Sequence, residues 1–433
     1  MTANPSSALL ANLLAPVDRN RPEHIAMSAQ GHHVTYEDGS VKLCATSGLW
    51  NVPLGYGNRN IADAIHRAAI DASYLSTFRA EHTYARQAAD ALVTFSGLDN
   101  AYTRVYFSTS GASANDLAMK IIRIYQLVNG NTNKANIVSL HDSYHGLSFG
   151  AFALTGQDLG QAMYGVDQRN IRHVRVNDVN QLRQLFDIEG ERIGGIILEP
   201  VLGNGCQVIE PDFLRAVFTL RSRYGFLIIA DEVATGFWRT GVDFASNQWE
   251  EKPDVLLLSK ALTNGTLAAS AILLSKNTSE VLDTVTIAHG ETQAGSPIVS
   301  AAILATLQEL SAFETDTRVK QLEIRLTSAL ETLRESNELI TEIGGVGAMR
   351  SISCVTPNGH PLNGEQVQRL VRLIKTEGVI VYPGVSGIQV FPAYTYTTTD
   401  LEFMTEQIDA GLEAFSQTFQ DESKLKGVSN ASH

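Results

Sequence analysis

The chain has 433 residues, of which 44% are hydrophobic and 18% charged, a composition typical of a globular α/β protein with two or three lobes. Its formal net charge of −13 argues against nucleic acid or an anionic membrane surface as the main partner, because both require clustered Lys and Arg. Three cysteines are too few for a disulfide framework, and no stretch approaches the ~20 apolar residues of a membrane span. We therefore expect a cytoplasmic protein.

Short apolar runs alternate with amphipathic stretches between residues 102 and 274, a pattern typical of a parallel sheet covered by helices. Strands are predicted at 104–108, 135–140, 195–199, 226–230, 254–259 and 270–274. Helices are predicted at 113–127 and 212–224. The chain then reads as one helical stretch over 297–336, followed by strands at 348–355 and 379–392, helices at 364–376 and 400–418, and a polar tail.

The turn 107–115 follows the first of these strands and leads into a helix. Its residues Ser110, Gly111 and Ala112 are small, so an anion could approach the backbone N–H groups at the positive end of the helix. A simple helix cap formed around Ser113 would give the same pattern.

Two later loops carry polar and aromatic side chains. Tyr144 follows the second strand and could face a planar ring. The nearby pair His141 and His145 lacks an evident third ligand, so we expect no metal. In the loop 289–297, Thr292 offers a hydroxyl to an anion, although an ordinary loop would look the same.

Charged residues follow two of the apolar strands. Asp231 and Glu232 come directly after 226–230, at the strand edge where open α/β sheets bind ligands. A carboxylate there can pair with a cationic ring nitrogen, or it can cap a loop. Lys260 follows a strand that reads as buried on both faces. Burial would lower the pKa of its ammonium group and make it a nucleophile, whereas a lysine that reaches the surface is the alternative.

Together and in this order, these segments resemble the class III (omega) aminotransferases, which are fold-type I pyridoxal 5'-phosphate (PLP) enzymes. The resemblance covers residues 34–411, and the run 47–57 is most similar to the amine:pyruvate branch. It implies PLP bound covalently to Lys260, with Asp231 on the pyridinium nitrogen. It also implies a homodimer in which Thr292 reaches the partner's cofactor phosphate. The cofactor-binding residues implied are Ser110, Gly111, Ala112, Tyr144, His145, Glu199, Asp231, Val233, Lys260 and Thr292.

The same resemblance implies an α/β fold with a mostly parallel seven-stranded sheet and a smaller α/β domain built from both termini. The corresponding division is an N-terminal segment 1–60 that belongs to the small lobe, a large PLP-binding domain 61–296, a small domain 297–420 and a flexible tail 421–433. Trp50 and Phe78 would line the substrate pocket, with ordinary core packing as the alternative.

Two departures from the family pattern stand out. Ser113 occupies a position where the family usually has Glu or Asp. Gln389, within the stretch 382–394, lies where many relatives carry an arginine that grips the substrate carboxylate. Arg350 or Arg239 could substitute, although surface exposure or a structural ion pair would also account for them.

The missing arginine predicts that small-molecule amines react with a carbonyl acceptor that has no nearby carboxylate. An aldehyde, a ketone or the carbonyl end of a peptide or natural-product intermediate would fit. Racemisation, aminomutation or decarboxylation on the same cofactor is the alternative reaction. A non-catalytic protein with the same fold is a further alternative.

Overall fold

The computed structural model describes residues 7–97 and 101–430, with side chains up to residue 419. Its strands are β1 Ala26–Gln30, β2 His33–Tyr36, β3 Val41–Cys44, β4 Tyr102–Ser108, β5 Asn136–Leu140, β6 Ile171–Val174, β7 Ile193–Leu198, β8 Leu227–Asp231, β9 Val255–Leu258, β10 Ser270–Ser275, β11 Ile340–Val346, β12 Met349–Cys354, β13 Val379–Ile380, β14 Tyr382–Pro383 and β15 Gly387–Val390. Its helices are α1 Ser47–Trp50, α2 Arg59–Asp71, α3 Thr83–Phe95, α4 Gly111–Val128, α5 Phe149–Leu154, α6 Val179–Glu189, α7 Pro211–Tyr224, α8 Lys276–Leu282, α9 Pro297–Ala312, α10 Thr315–Ser336, α11 Gly364–Glu377 and α12 Thr398–Asn430. Within these described ranges, none of the helices combines the length and apolar character needed to span a bilayer.

Seven strands form the central sheet in the order β4-β10-β9-β8-β7-β5-β6. The strands from β9 to β6 pair in parallel, and β10 runs antiparallel to both of its neighbours. The prediction of an α/β fold with a mostly parallel seven-stranded sheet is confirmed. Strand β6 was not among the strands predicted from the apolar runs.

The parallel strands are buried on both faces because helices cover the sheet on each side. Strands β7, β8 and β9 are buried along their whole length, as is typical of continuous apolar runs in α/β proteins. Helix α4 lies directly against this sheet, where a Cβ on Gly195 would come within 2.6 Å of Ile122. Ile122 lies in the second half of α4 and Gly195 near the start of β7, so the N-terminal end of α4 is directed towards the carboxyl edge of the sheet.

Two four-stranded sheets lie outside the central one. The first, β1-β2-β3-β13, joins the two ends of the chain, because β3 pairs in parallel with β13 through Leu43 and Val379. The second, β11-β12-β15-β14, is antiparallel throughout. The domain limits at residues 60, 296 and 420 stay predictions.

Several elements differ from their predicted limits. The single helical stretch expected over 297–336 is two helices, because the chain turns at Glu314 with a left-handed φ of 53°. Strand β11 was not predicted. Helix α12 continues to Asn430, past the predicted end at 418. Of the predicted tail, residues 431–433 lie outside the described residues.

The central sheet should be sensitive to loss of volume at Leu257 of β9, which is fully buried. We expect Leu257→Ala to lower the free energy of unfolding by about 2–5 kcal/mol, because it removes apolar contacts and leaves a cavity. Ile324→Ala is the control, since that side chain is 70% exposed. Denaturant unfolding of both variants measures the change, and an equal decrease in the free energy of unfolding for the two would contradict this expectation.

Candidate active site

The carboxyl ends of neighbouring strands bring the predicted residues to one edge of the central sheet. Asp231 ends β8, Glu199 follows β7, and Lys260 follows β9 after one residue. Because β7, β8 and β9 are parallel neighbours, these side chains meet at the same edge. Asp231 is 2% exposed and Glu199 is 4% exposed, so the site contains charges that only nearby partners can stabilise.

Two side chains hold the Asp231 carboxylate in place. Asn115 of α4 donates from Nδ2 to Oδ2 at 2.8 Å, and Nδ1 of His145 lies 2.7 Å from the same oxygen. Burial alone would lower the pKa of His145, but the hydrogen bond and negative charge of Asp231 outweigh it and raise that pKa. The other carboxylate oxygen, Oδ1, accepts only the Val233 N–H among the described residues, at 3.1 Å.

His145 of the histidine pair lies against Asp231. His141 packs instead against His173, with ring centroids 5.6 Å apart. Across residues 7–97 and 101–419, no group of three or more His, Cys, Asp or Glu is arranged to hold a metal ion.

Glu199 organises the loop that carries Tyr144. Its carboxylate accepts the backbone N–H of Tyr144 at 2.8 Å and that of Gly203 at 3.0 Å. Burial raises the pKa of Glu199 to about 7, and the charge of Asp231 adds to this, while His145 and the two N–H donors oppose it. The Tyr144 side chain is 39% exposed, which leaves part of its ring free to contact a bound molecule.

Lys260 is enclosed and conformationally unusual. Its backbone has a left-handed φ of 45°, a conformation that L-residues adopt only at a cost. Its Nζ lies 4.2 Å from the centroid of the Trp50 ring. Burial lowers the pKa of Lys260 to about 8 and Arg239 adds to this, although the charges of Glu199 and Asp231 oppose the shift. The alternative, in which this lysine reaches the surface, does not fit the contact of its Nζ with the Trp50 ring.

A turn of small residues lies at the start of α4, where the sequence predicts an anion site. Ser110 caps this helix, and its Oγ accepts the Ser113 N–H at 3.1 Å. A Cβ on Gly111 would come within 3.0 Å of the Val233 side chain. A side chain at position 111 would crowd Val233, so glycine lets this turn lie close to the segment that follows Asp231.

Trp50 reaches the site from a short left-handed turn. Residues 47–50 all have positive φ, between 46° and 68°. The Trp50 ring packs 4.4 Å from Phe391 and 5.3 Å from Tyr382. Its indole Nε1 is buried and has no hydrogen-bond partner among the described residues. Sequence reasoning selected Trp50 but missed Tyr382 and Phe391, because short strands near the C-terminus give no sign of the neighbours that they meet.

Two predicted residues are not brought together with Lys260. Phe78 is 50% exposed and lies beside Gly290, where a Cβ would come within 2.7 Å of its ring. The Thr292 side chain is exposed, and its carbonyl accepts the Tyr74 hydroxyl at 2.9 Å. Within this chain the adjacent Glu291, not Thr292, contacts the turn before α4. The predicted roles of Phe78 and Thr292 stay predictions.

The two candidate replacement arginines are buried and donate to backbone carbonyls, and Nη2 of Arg239 has no hydrogen-bond partner among the described residues. Arg239 is 1% exposed, donates to the carbonyl of Pro392 at 2.7 Å and lies over the Tyr394 ring. Arg350 donates to the carbonyls of Gly345 and Gly347 at 3.0 and 3.2 Å. Surface exposure is therefore wrong for both residues, whereas the expected structural ion pair is present for Arg350, whose Nη2 lies 3.7 Å from Oε1 of Glu323.

Comparison with known proteins assigns the family. The profile described as aminotransferase class-III matches residues 15–418. The chain belongs to the class III aminotransferase family. It is 30% identical over 412 residues to the uncharacterized aminotransferase YhxA of Bacillus subtilis, a match that covers 89% of this chain and 90% of that protein. It is 27% identical over 421 residues to an omega-aminotransferase of Caulobacter vibrioides, with coverage of 90% and 93%.

A solved structure supports the same assignment. The chain superposes with a TM-score of 0.88 on the PLP-bound form of an amine transaminase from an uncultivated Pseudomonas species, at 25% sequence identity. The match covers 94% of this chain and 99% of that one. The predictions of a class III family member, of a PLP-dependent aminotransferase and of PLP as the cofactor are confirmed.

The residues at this edge of the sheet fit PLP. The turn at Ser110 and Gly111 suits a phosphate, and Oδ1 of Asp231 can accept a hydrogen bond from a protonated ring nitrogen. The enclosed Lys260 amine suits covalent attachment of an aldehyde.

The lowered pKa of Lys260 gives a pH prediction. Only the neutral amine attacks an aldehyde, so we expect the rate of PLP attachment to cofactor-free protein to rise with pH through a midpoint of about 8. Stopped-flow absorbance, followed by borohydride trapping and peptide mass spectrometry, measures the rate and the site. Lys276, with a 70% exposed side chain, is the internal control. Attachment there, or a rate independent of pH, would contradict the assignment.

Proposed function

We propose that this aminotransferase transfers an amino group from a small-molecule amine to a carbonyl acceptor with no carboxylate near the carbonyl. The observation that carries this proposal is the burial and hydrogen bonding of Gln389. It is fully buried and donates to the carbonyl of Gly203 at 2.9 Å. A neutral amide therefore stands in the stretch where many relatives have an arginine, and its Nε2 is already bonded to the protein, while its Oε1 has no partner among the described residues.

The surroundings of Lys260 support the same acceptor class. Trp50, Tyr382 and Phe391 form an aromatic wall beside the lysine. Glu199 and Asp231 place negative charge close by. A carboxylate brought by the acceptor would be desolvated beside these negative groups, and the nearby Arg239 is already engaged by the Pro392 carbonyl and the Tyr394 ring. Neutral aldehydes, ketones and carbonyl groups at the end of a peptide or natural product avoid that cost.

We assign roles to the site residues on the basis of these contacts. When bound, PLP supplies an aldehyde that exchanges amino groups and a ring that takes up electrons. Lys260 would attach the cofactor through Nζ and, when released, move the proton at the reacting carbon. Asp231 would hold the ring nitrogen in its charged form, with Asn115 and His145 fixing its carboxylate. The half-exposed Tyr144 would cover one face of the ring.

We further propose that the chain works as a homodimer in the cytoplasm. A groove of about 1370 Å³ runs beside the exposed loop that carries Thr292 and includes the exposed ring of Phe78. A second copy covering this groove would bring Thr292 to the partner's phosphate site. The three cysteines are free and buried, which suits a reducing compartment.

Matched acceptors test the proposed substrate class. We expect kcat/KM to be at least about tenfold higher for acetone than for pyruvate, and for benzaldehyde than for phenylglyoxylate, because the carboxylate in each pair is left without a partner. Steady-state kinetics with one amine donor measures both pairs. A preference for pyruvate, phenylglyoxylate or 2-oxoglutarate would overturn the proposal and point to Arg239 as a carboxylate anchor.

The aromatic wall predicts how acceptor size is limited. In Trp50→Ala, the space beside Phe391 and Tyr382 opens, so we expect the ratio of kcat/KM for benzaldehyde over acetaldehyde to rise by about tenfold. Trp50→Phe should change this ratio much less, because it keeps a ring against Phe391. An unchanged ratio in Trp50→Ala would show that Trp50 does not line the acceptor pocket.

A further inference from the structure

Glu291 occupies an unexpected place at the turn before α4. Its carboxylate accepts the Thr109 N–H at 2.8 Å and also the hydroxyl groups of Thr109 and Ser108. The Ser108 and Ser113 hydroxyls lie 2.7 Å apart, so the carboxylate belongs to a connected polar network. Glu291 is 182 positions away from Thr109 in the sequence, and nothing in either local segment predicts this contact.

The start of α4 lacks an acid of its own. Ser110 caps the helix, but a reciprocal capping box also requires Glu or Gln at the third helical position. Ser113 stands there, and the first turn of α4 contains no acidic residue. The partial positive charge of this 18-residue helix therefore has no local carboxylate to balance it.

We propose that Glu291 is a positioning residue for the phosphate-binding turn. From a distant loop, Glu291 supplies the acid that the first turn of α4 lacks. By bonding Ser108 and Thr109, it fixes the backbone that leads into Gly111 and Ala112. This inference rests on the proposed role of Ser110, Gly111 and Ala112 in holding the PLP phosphate.

Further contacts show that the loop of Glu291 is fastened to the same region. The Thr77 hydroxyl donates to the Ala294 carbonyl at 3.1 Å. Gly295 has a left-handed φ of 62°, and a Cβ there would come within 3.0 Å of Phe107 in β4. The loop thus packs along the end of β4, where the Glu291 carboxylate reaches the turn.

Glu291 is charged at neutral pH. Burial opposes its ionisation, but hydrogen bonds from Ser108, Thr109 and Ser113 outweigh burial and lower the pKa of Glu291. A carboxylate at this turn could instead compete with the cofactor phosphate for the same helix end. The two possibilities predict opposite changes in PLP affinity when the carboxylate is removed.

The test uses full-length protein stripped of cofactor and titrated with PLP or with pyridoxal, which lacks the phosphate. For Glu291→Ala we expect the Kd of PLP, followed by absorbance and protein fluorescence, to rise by about tenfold. The Kd of pyridoxal should stay the same. Glu291→Gln keeps the acceptor oxygen and should give a smaller rise. Glu280→Ala, which removes an exposed glutamate nearby, should change neither constant.

A rescue variant separates positioning from general stability. Ser113→Glu in the Glu291→Ala background returns an acid to the third position of α4 and should restore most of the PLP affinity. Thermal unfolding of the cofactor-free proteins shows whether each variant is folded. The proposal would be overturned if Glu291→Ala bound PLP as tightly as the original protein or more tightly. It would also be overturned if the variant lost equal affinity for PLP and pyridoxal, or if Ser113→Glu did not restore PLP affinity. Failure of the proposed acceptor class would leave these constants unaffected, because no acceptor is present.

Discussion

The site depends on burying like charges at one sheet edge and compensating them with fixed donors. Asp231 and Glu199 follow adjacent strands and both are almost fully enclosed. Water cannot stabilise their charges, so the protein supplies hydrogen bonds from Asn115, His145 and backbone N–H groups. The nearby Lys260 is subject to the same burial, which lowers its pKa into the range where a lysine becomes a nucleophile.

Local strain accompanies this arrangement. Lys260 and the turn 47–50 adopt left-handed backbone conformations, each of which costs an L-residue about 1–2 kcal/mol. Hydrogen bonds offset this cost: the Trp50 N–H donates to the Thr46 carbonyl at 2.7 Å, and the Ser47 hydroxyl donates to the Phe391 carbonyl at 2.6 Å. The strained turn thereby holds the Trp50 ring over the Lys260 amine. Strain of this kind persists where the surrounding structure fixes the backbone, and here it coincides with the site.

The site draws on distant parts of the chain. The left-handed turn near the N-terminus, the strand β15 near the C-terminus and the edge of the central sheet all meet around Lys260. The pairing of β3 with β13 brings the two ends of the chain together and so places Trp50 against Phe391. On the proposed assignment of these residues, substrate choice would depend on how the outer sheets are packed, whereas cofactor chemistry would depend on the central sheet.

The sequence by itself determined the class of fold and predicted the candidate residues of the cofactor site. Apolar runs ending in Asp231 and Lys260, and the small-residue turn before α4, are local patterns that strand burial and helix capping impose on neighbouring positions. Only the tertiary structure decided which side chains hold those residues. Asn115 meets Asp231 across 116 positions, and Arg239 reaches the Pro392 carbonyl across 153. The same holds for Glu291 at the turn before α4. Contacts over such distances arise from the packing of whole elements, and no local pattern encodes that packing.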